Sequence, residues 1–152
     1  MKKRIYLDTA SGLANPSSIH QEGVQARKRL EEARSDVARF LGAHADEIIF
    51  TSGGTESNNL AIFGTGHRVL KMPQHPVSGV ITSVIEHPSI LNACIKLEGA
   101  GERITYLPVN SDGLIDPKIL AEKLKPDTRL VTLHYANSEI GVVQPIAEIA
   151  KV

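Results

Sequence analysis

The residues best placed to do chemistry sit in one short run, where Glu47-Ile48-Ile49-Phe50-Thr51 leads into Ser52-Gly53-Gly54-Thr55-Glu56-Ser57-Asn58. β-branched and aromatic residues predict a buried strand over 47–51, and Asn59-Leu60-Ala61-Ile62-Phe63 reads as the apolar face of a helix. Gly53 and Gly54 then occupy a strand-to-helix turn, where glycine permits positive φ and lets a ligand approach the main chain. The first N–H groups of a helix have no partner inside it, and together with the helix dipole they favour an anion. Thr55, Ser57 and Asn58 add side-chain donors at the same end. A phosphate group, carrying about −1.5 to −2 charges at neutral pH, suits such a cup. The same residue types also cap helices that bind nothing, so the turn alone supports either reading.

Two other phosphate motifs are excluded. No G-x-x-x-x-G-K-[ST] pattern occurs, and Gly64-Thr65-Gly66 follows a helical stretch and lacks the third glycine of a dinucleotide fingerprint. A small phosphorylated cofactor is favoured over a nucleotide. Cys94 is the single cysteine, so no intrachain disulfide forms, and no Cys/His pair has zinc-ligand spacing. It lies at helical spacing among Ile90, Leu91 and Leu97 and reads as a small buried hydrophobe, not a nucleophile. His87, next to Glu86, would on its own read as half of a surface ion pair.

These loops need elements to hold them. The 152 residues are enough for one domain with a core, and 41% hydrophobic with 22% charged residues is an ordinary globular composition. Lys plus Arg and Asp plus Glu balance at 17 each, which leaves no global charge to recruit nucleic acid or an anionic membrane. The start, Lys2-Lys3-Arg4-Ile5-Tyr6-Leu7, lacks a signal-peptide core, and no run is long and apolar enough to span a bilayer. A cytoplasmic location is expected.

Along the chain, Ile5-Tyr6-Leu7 predicts a short strand and Asn15-Pro16-Ser17-Ser18 a turn. A long amphipathic helix then runs to about Leu41, with Leu30, Ala33, Val37, Phe40 and Leu41 at spacings of three and four and Gly42 as its stop. Strands are predicted at 79–84, 103–107 and 130–134, and helices at 88–97 and 117–124, both opened by proline. This β-α-β-α-β order implies a parallel sheet with right-handed crossovers and helices on its faces. Ligands of such sheets gather at the carboxyl ends of strands, so the loops at Gly53, Glu86-His87 and Asn137-Ser138 are expected to share one mouth. The final stretch, 145–152, begins a helix and stops after about two turns, too short to be stable unpacked. The chain is therefore read as a fragment cut inside a larger fold.

Four motifs in chain order carry a resemblance. Asn15-Pro16-Ser17-Ser18-Ile19-His20, Thr51-Ser52-Gly53-Gly54-Thr55-Glu56-Ser57-Asn58-Asn59-Leu60-Ala61, Glu86-His87-Pro88 and Ala136-Asn137-Ser138-Glu139-Ile140-Gly141 resemble those of the cysteine desulfurases, pyridoxal-phosphate enzymes of the class V aminotransferase group. The resemblance runs from Ile5 to Val152. It implies an α/β fold, a mainly parallel sheet flanked by helices, like the amino-terminal part of the large domain of fold-type I pyridoxal-phosphate enzymes. Residues 1–152 would form part of that domain. It further implies that Gly54 and Thr55 hold the phosphate of pyridoxal 5'-phosphate, and that His87 stacks on the pyridine ring and helps move protons. Implied partners are L-cysteine, a sulfur-acceptor or iron–sulfur scaffold protein, and a second copy in the homodimer of the complete enzyme, with no nucleic acid and no membrane.

Two departures stand out. Family members usually carry two asparagines before Glu-Ile-Gly, and the second bonds the ring hydroxyl of the cofactor. Here Ser138 takes that place, shorter by an amide group, and the role is not carried over to it. Near the start, Asp8-Thr9-Ala10-Ser11 reaches Asn15-Pro16 through only Gly12-Leu13-Ala14, where the family usually has an extra helix.

The cofactor also needs a Schiff-base lysine and a carboxylate at its ring nitrogen, and the reaction needs a sulfur-accepting cysteine. None of the nine lysines lies in a matching context, and Lys28, Lys96 and Lys123 read as solvated helix positions. The expected function is thus that of the amino-terminal part of a cysteine desulfurase, with no turnover and weak cofactor binding when alone. The alternatives are a fragment of a selenocysteine lyase or another class V enzyme, and a non-catalytic truncated homologue acting as a binding or assembly module.

Overall fold

The computed structural model describes residues 14–70 and 79–152. They fall into two compact units divided after Phe50. The expected strand at Ile5-Tyr6-Leu7 lies outside the described residues.

In the first unit, helix α1 spans Gln21–Leu41. His20 caps its start by accepting the Gly23 N–H on Nδ1 at 3.2 Å, and Gly42 ends it at φ 67°, the left-handed conformation that glycine adopts without strain. The expected turn is present: Asn15 Oδ1 accepts the Ser17 N–H at 2.9 Å, and the Asn15 carbonyl accepts the Ser18 N–H at 3.0 Å. This turn lies so close to Gly23 that a Cβ there would come within 2.8 Å of Asn15 O. The apolar stripe of α1 is not buried, since Phe40 is 90% exposed and the enclosed positions are Gly23 and Ala38.

The strand expected over 47–51 does not form. A 3-10 turn at Ala45–Glu47 leads into extended chain that joins no sheet among the described residues, with Ile49 and Phe50 exposed. Side-chain type favours a strand here, but a strand exists only where a neighbour accepts its ladder. Instead the Arg34 guanidinium lies over the Phe50 ring, 5.1 Å from its centroid, and donates to the Ile48 carbonyl.

The second unit is an α/β layer built on three parallel strands, β1 Gly79–Ser83, β2 Arg103–Leu107 and β3 Thr128–Val131, in the order β2-β1-β3. Helix α2 (Gly54–Leu70) precedes β1, α3 (Pro88–Gly99) joins β1 to β2, α4 (Pro117–Lys123) joins β2 to β3, and α5 is the single turn Ile146–Ile149. Strand β3 begins and ends earlier than the expected 130–134, its pairing with β1 running from Thr128 to Val131 opposite Gly79 to Ile81.

Alternation along β1 divides the core. Val80 packs with Ile62 of α2 and with Ile90, Ala93, Cys94 and Leu97 of α3. Ile81 faces the other way, toward Leu107, Ile115, Leu120 of α4 and Ile149 of α5. All five residues of β1 are buried, as the central strand of a sheet covered on both faces must be. Because the α3 crossover leads from β1 to β2 and the α4 crossover leads back past β1 to β3, right-handed connections put the two helices on opposite faces. The loops leaving β1 and β3 then diverge at their carboxyl ends, which is where open α/β sheets bind ligands.

Candidate functional site

A cavity of about 70 Å³ opens at that divergence, lined by Ile85, Glu86, His87, His134, Asn137 and Ser138 among others. Two of the three expected loops therefore share a mouth. The third, at Gly53, does not line it but is tied to it by a hydrogen bond from Asn58 Nδ2 to Ser89 Oγ, 2.9 Å, joining the first turns of α2 and α3.

The turn before α2 has the geometry of an open helix start. The first intrahelical bond runs from the Ser57 N–H to the Gly53 carbonyl at 3.1 Å, so the N–H groups of Gly54, Thr55 and Glu56 precede the ladder. A Cβ built on Gly53 or Gly54 would meet nothing within 4 Å, and neither glycine has positive φ. Their use here is access to the main chain, not the unusual backbone that the sequence also allows. Of the side-chain donors expected beside them, Ser57 pairs with the Thr51 hydroxyl at 2.7 Å and Asn58 with Ser89. The Thr55 hydroxyl has no intramolecular partner among the described residues, unlike the Ser57 hydroxyl and the Asn58 amide. Glu56, the one carboxylate in this turn, folds back onto Ser52, accepting its N–H at 2.7 Å and its hydroxyl at 2.5 Å. These bonds hold its carboxyl below the usual range, so it stays an anion.

His87 is the N-cap of α3, and its Nδ1 accepts the Ser89 N–H at 3.1 Å. Pro88 follows at the first helical position, where its fixed φ suits a helix start and its missing N–H costs nothing. The Ser89 hydroxyl lies 2.8 Å from the same nitrogen. An ion pair of His87 with Glu86 is not formed. Glu86 turns inward, its side chain only 2% exposed, and accepts the Ser83 hydroxyl at 2.6 Å, the His134 N–H at 3.1 Å and, on Oε2, His134 Nδ1 at 3.1 Å. Burial demands partners for a carboxylate, and these are available on the inner side only. Buried Glu86 and half-buried His134 thus form a pair that clamps the loop after β1 to the loop after β3. Sequence reasoning missed it, since nothing in the spacing of residues 86 and 134 signals contact between two loops 48 residues apart.

Asn137 adds a second clamp. Its Nδ2 donates to the Ile85 carbonyl at 2.9 Å while Oδ1 accepts the N–H groups of Glu139 and Ile140. Both ends of its amide shape the loop, and Ser138 is exposed beside it at the cavity. Cys94 lies away from this mouth, fully buried in the core. Among the described residues no cluster has the makings of a metal site, and no helix is long and apolar enough to cross a membrane.

The family model for class V aminotransferases matches residues 4–152. The chain belongs to the class V aminotransferase family. Within the family it is 42% identical to cysteine desulfurase IscS of Dictyoglomus turgidum, an alignment covering 100% of this chain and 42% of that relative. It is 47% identical to cysteine desulfurase IscS of Rickettsia felis over 97% of this chain and 35% of the relative. Among solved structures, SspA in complex with cysteine superposes with a TM-score of 0.82 at 41% identity, over 94% of this chain and 40% of SspA. DndA from Streptomyces lividans gives 0.79 at 38% identity, over 93% and 39%. This class V chain therefore spans about two fifths of the length of these relatives. Its parallel sheet flanked by helices is the architecture expected from the sequence.

Proposed function

We propose that residues 1–152 form part of a pyridoxal-phosphate-dependent domain of the cysteine desulfurase kind, contributing the phosphate-binding turn and the ring-stacking histidine. The observation that supports this reading is the hydrogen-bonded link from the α2 start through Asn58 and Ser89 to His87, which holds the glycine turn and an imidazole in one fixed relation.

The residues present fit the cofactor. The main chain at Gly54 is open and Thr55 is exposed, offering N–H and hydroxyl donors for a phosphate, and Glu56, the carboxylate of the same turn, is drawn onto Ser52. Pyridoxal phosphate, when bound, supplies the electron sink that weakens bonds at the α-carbon of an amino acid. Gly54 and Thr55 would anchor its phosphate. His87 would cover one face of the ring, exclude water there, and hold or move a proton at Nε2, the nitrogen left free by the cap. Glu86 and Asn137 would keep the loops after β1 and β3 in place around it. The proposed overall reaction removes sulfur from L-cysteine, leaves L-alanine, and passes sulfur to an enzyme thiol and then to an acceptor protein. The Schiff-base lysine and the accepting thiol have no counterpart in residues 1–152. Cys94, buried and protonated, does not serve as that thiol.

The test is to join this chain to the part of the Dictyoglomus turgidum relative that lies beyond the matched span, then measure alanine released from L-cysteine with pyridoxal phosphate. Alanine release is expected, with a loss of roughly 10²- to 10⁴-fold for His87→Ala. A folded, cofactor-loaded chimera that releases no alanine, or one indifferent to His87→Ala, would contradict the proposal.

A further inference from the structure

We infer that Ser89 and Asn58 are positioning residues that fix the neutral imidazole of His87 with its proton on Nε2. This assignment rests on the cofactor-facing role proposed for His87, and its geometry is independent of any ligand.

One donor at His87 cannot reverse. The Ser89 backbone N–H points at His87 Nδ1 across 3.1 Å, so Nδ1 must accept and the neutral ring must carry its proton on Nε2. The Ser89 hydroxyl, 2.8 Å from the same nitrogen, could in principle donate or accept. Because Nδ1 already accepts the backbone N–H and carries no proton, the hydroxyl must be the donor, and Asn58 reinforces that direction. Its Nδ2 can only donate, and at 2.9 Å it occupies a lone pair of Ser89 Oγ, leaving the hydroxyl proton free to point at Nδ1. Ser89 is only 9% exposed, which limits competition from water for that proton. Two donors therefore share the single lone pair of Nδ1, one from the backbone and one polarised by an amide on the neighbouring helix.

For the proposed reaction this sets an order of events. His87 meets a bound ring or substrate with Nε2–H in place, so it donates at that atom before it can accept there. The tautomer is set by the same hydrogen bonds that join the anion cup to the histidine, which is the second-residue support that an oriented imidazole needs.

The experiment is imidazole nitrogen NMR on the full chain labelled with ¹⁵N-histidine, at a pH above the ordinary histidine range and without cofactor, with His87 assigned by its loss in His87→Gln. The native chain is expected to show a protonated Nε2 and a bare Nδ1. Ser89→Ala removes one donor, and Asn58→Asp supplies an acceptor that takes the hydroxyl proton away from His87. Each is expected to raise the Nδ1–H fraction about five-fold, the scale of one lost hydrogen bond, while Ser89→Thr keeps the native ratio. A native His87 in the Nδ1–H form would overturn the inference whether or not any variant folds. Native ratios in both Ser89→Ala and Asn58→Asp would overturn it as well. Adding pyridoxal phosphate to the native chain then separates the two proposals: an Nε2 signal that ignores the cofactor while the tautomer stands as expected counts against the proposed function and leaves the positioning role intact.

Discussion

Burial pushes the Cys94 thiol from 9.0 up to about 11, and the charges of Glu86 and Glu98 act in the same direction. The residue is a protonated core hydrophobe, and two consequences are measurable. At about pH 8 the folded chain should resist alkylation by iodoacetamide and react fully once unfolded in urea, since only an exposed thiolate attacks. Rapid labelling of the folded chain would contradict this placement. The folded state also retains a proton that the unfolded chain sheds above pH 9.0, so this contribution is complete below that value and is lost as pH climbs toward about 11. Across that window the loss amounts to about 3 kcal/mol. Cys94→Ala should flatten the fall in stability over that range, leaving the part due to Tyr106, whose hydroxyl is also pushed up by burial. An unchanged slope would refute the assignment. The buried character of Cys94 is legible from helical spacing alone, because Ile90, Leu91 and Leu97 recur around it at three and four residues. The inward turn of Glu86 is not, since it depends on His134 and Ser83 arriving from elsewhere in the fold.

At the scale of elements, helices and turns are legible where their signals are local. Gly42 stops α1, proline opens α3 and α4, and β2 occupies the expected residues. Strands are less legible where pairing decides. Among the described residues, 47–51 have strand-forming side chains and no ladder, and β3 pairs with β1 over Thr128–Val131 instead of 130–134. A buried amide illustrates the non-local glue that no spacing reveals. Gln144, 2% exposed, accepts the Ile115 N–H at 2.9 Å and donates to the Gly113 carbonyl at 2.7 Å, fastening the entry to α4 to the segment before α5. Gln144→Ala strands both backbone groups and should cost about 3 kcal/mol, read as a lower urea midpoint at unchanged slope. A loss below about 1 kcal/mol would mean that these groups find other partners.

For the whole molecule, the strand order β2-β1-β3 converts a linear alternation of elements into a site. It buries β1 on both faces and brings the loops after β1 and β3 to one cavity. Class V membership and the parallel sheet are both accessible from motifs in chain order, whereas the division into two compact units and the clamp of Glu86 on His134 come only with the structure. The central claim is that the start of α2 is the cofactor's phosphate site. It is tested most directly by following backbone amide resonances of the ¹⁵N-labelled chain during titration with pyridoxal phosphate and, separately, with pyridoxal, which lacks the phosphate. The account predicts that the Gly54 and Thr55 amides move with pyridoxal phosphate and not with pyridoxal, and that Thr55→Val weakens the response by about five-fold, the scale of one hydrogen bond. Amides of Gly54 and Thr55 that stay fixed while others respond, or that respond equally to both compounds, would contradict it.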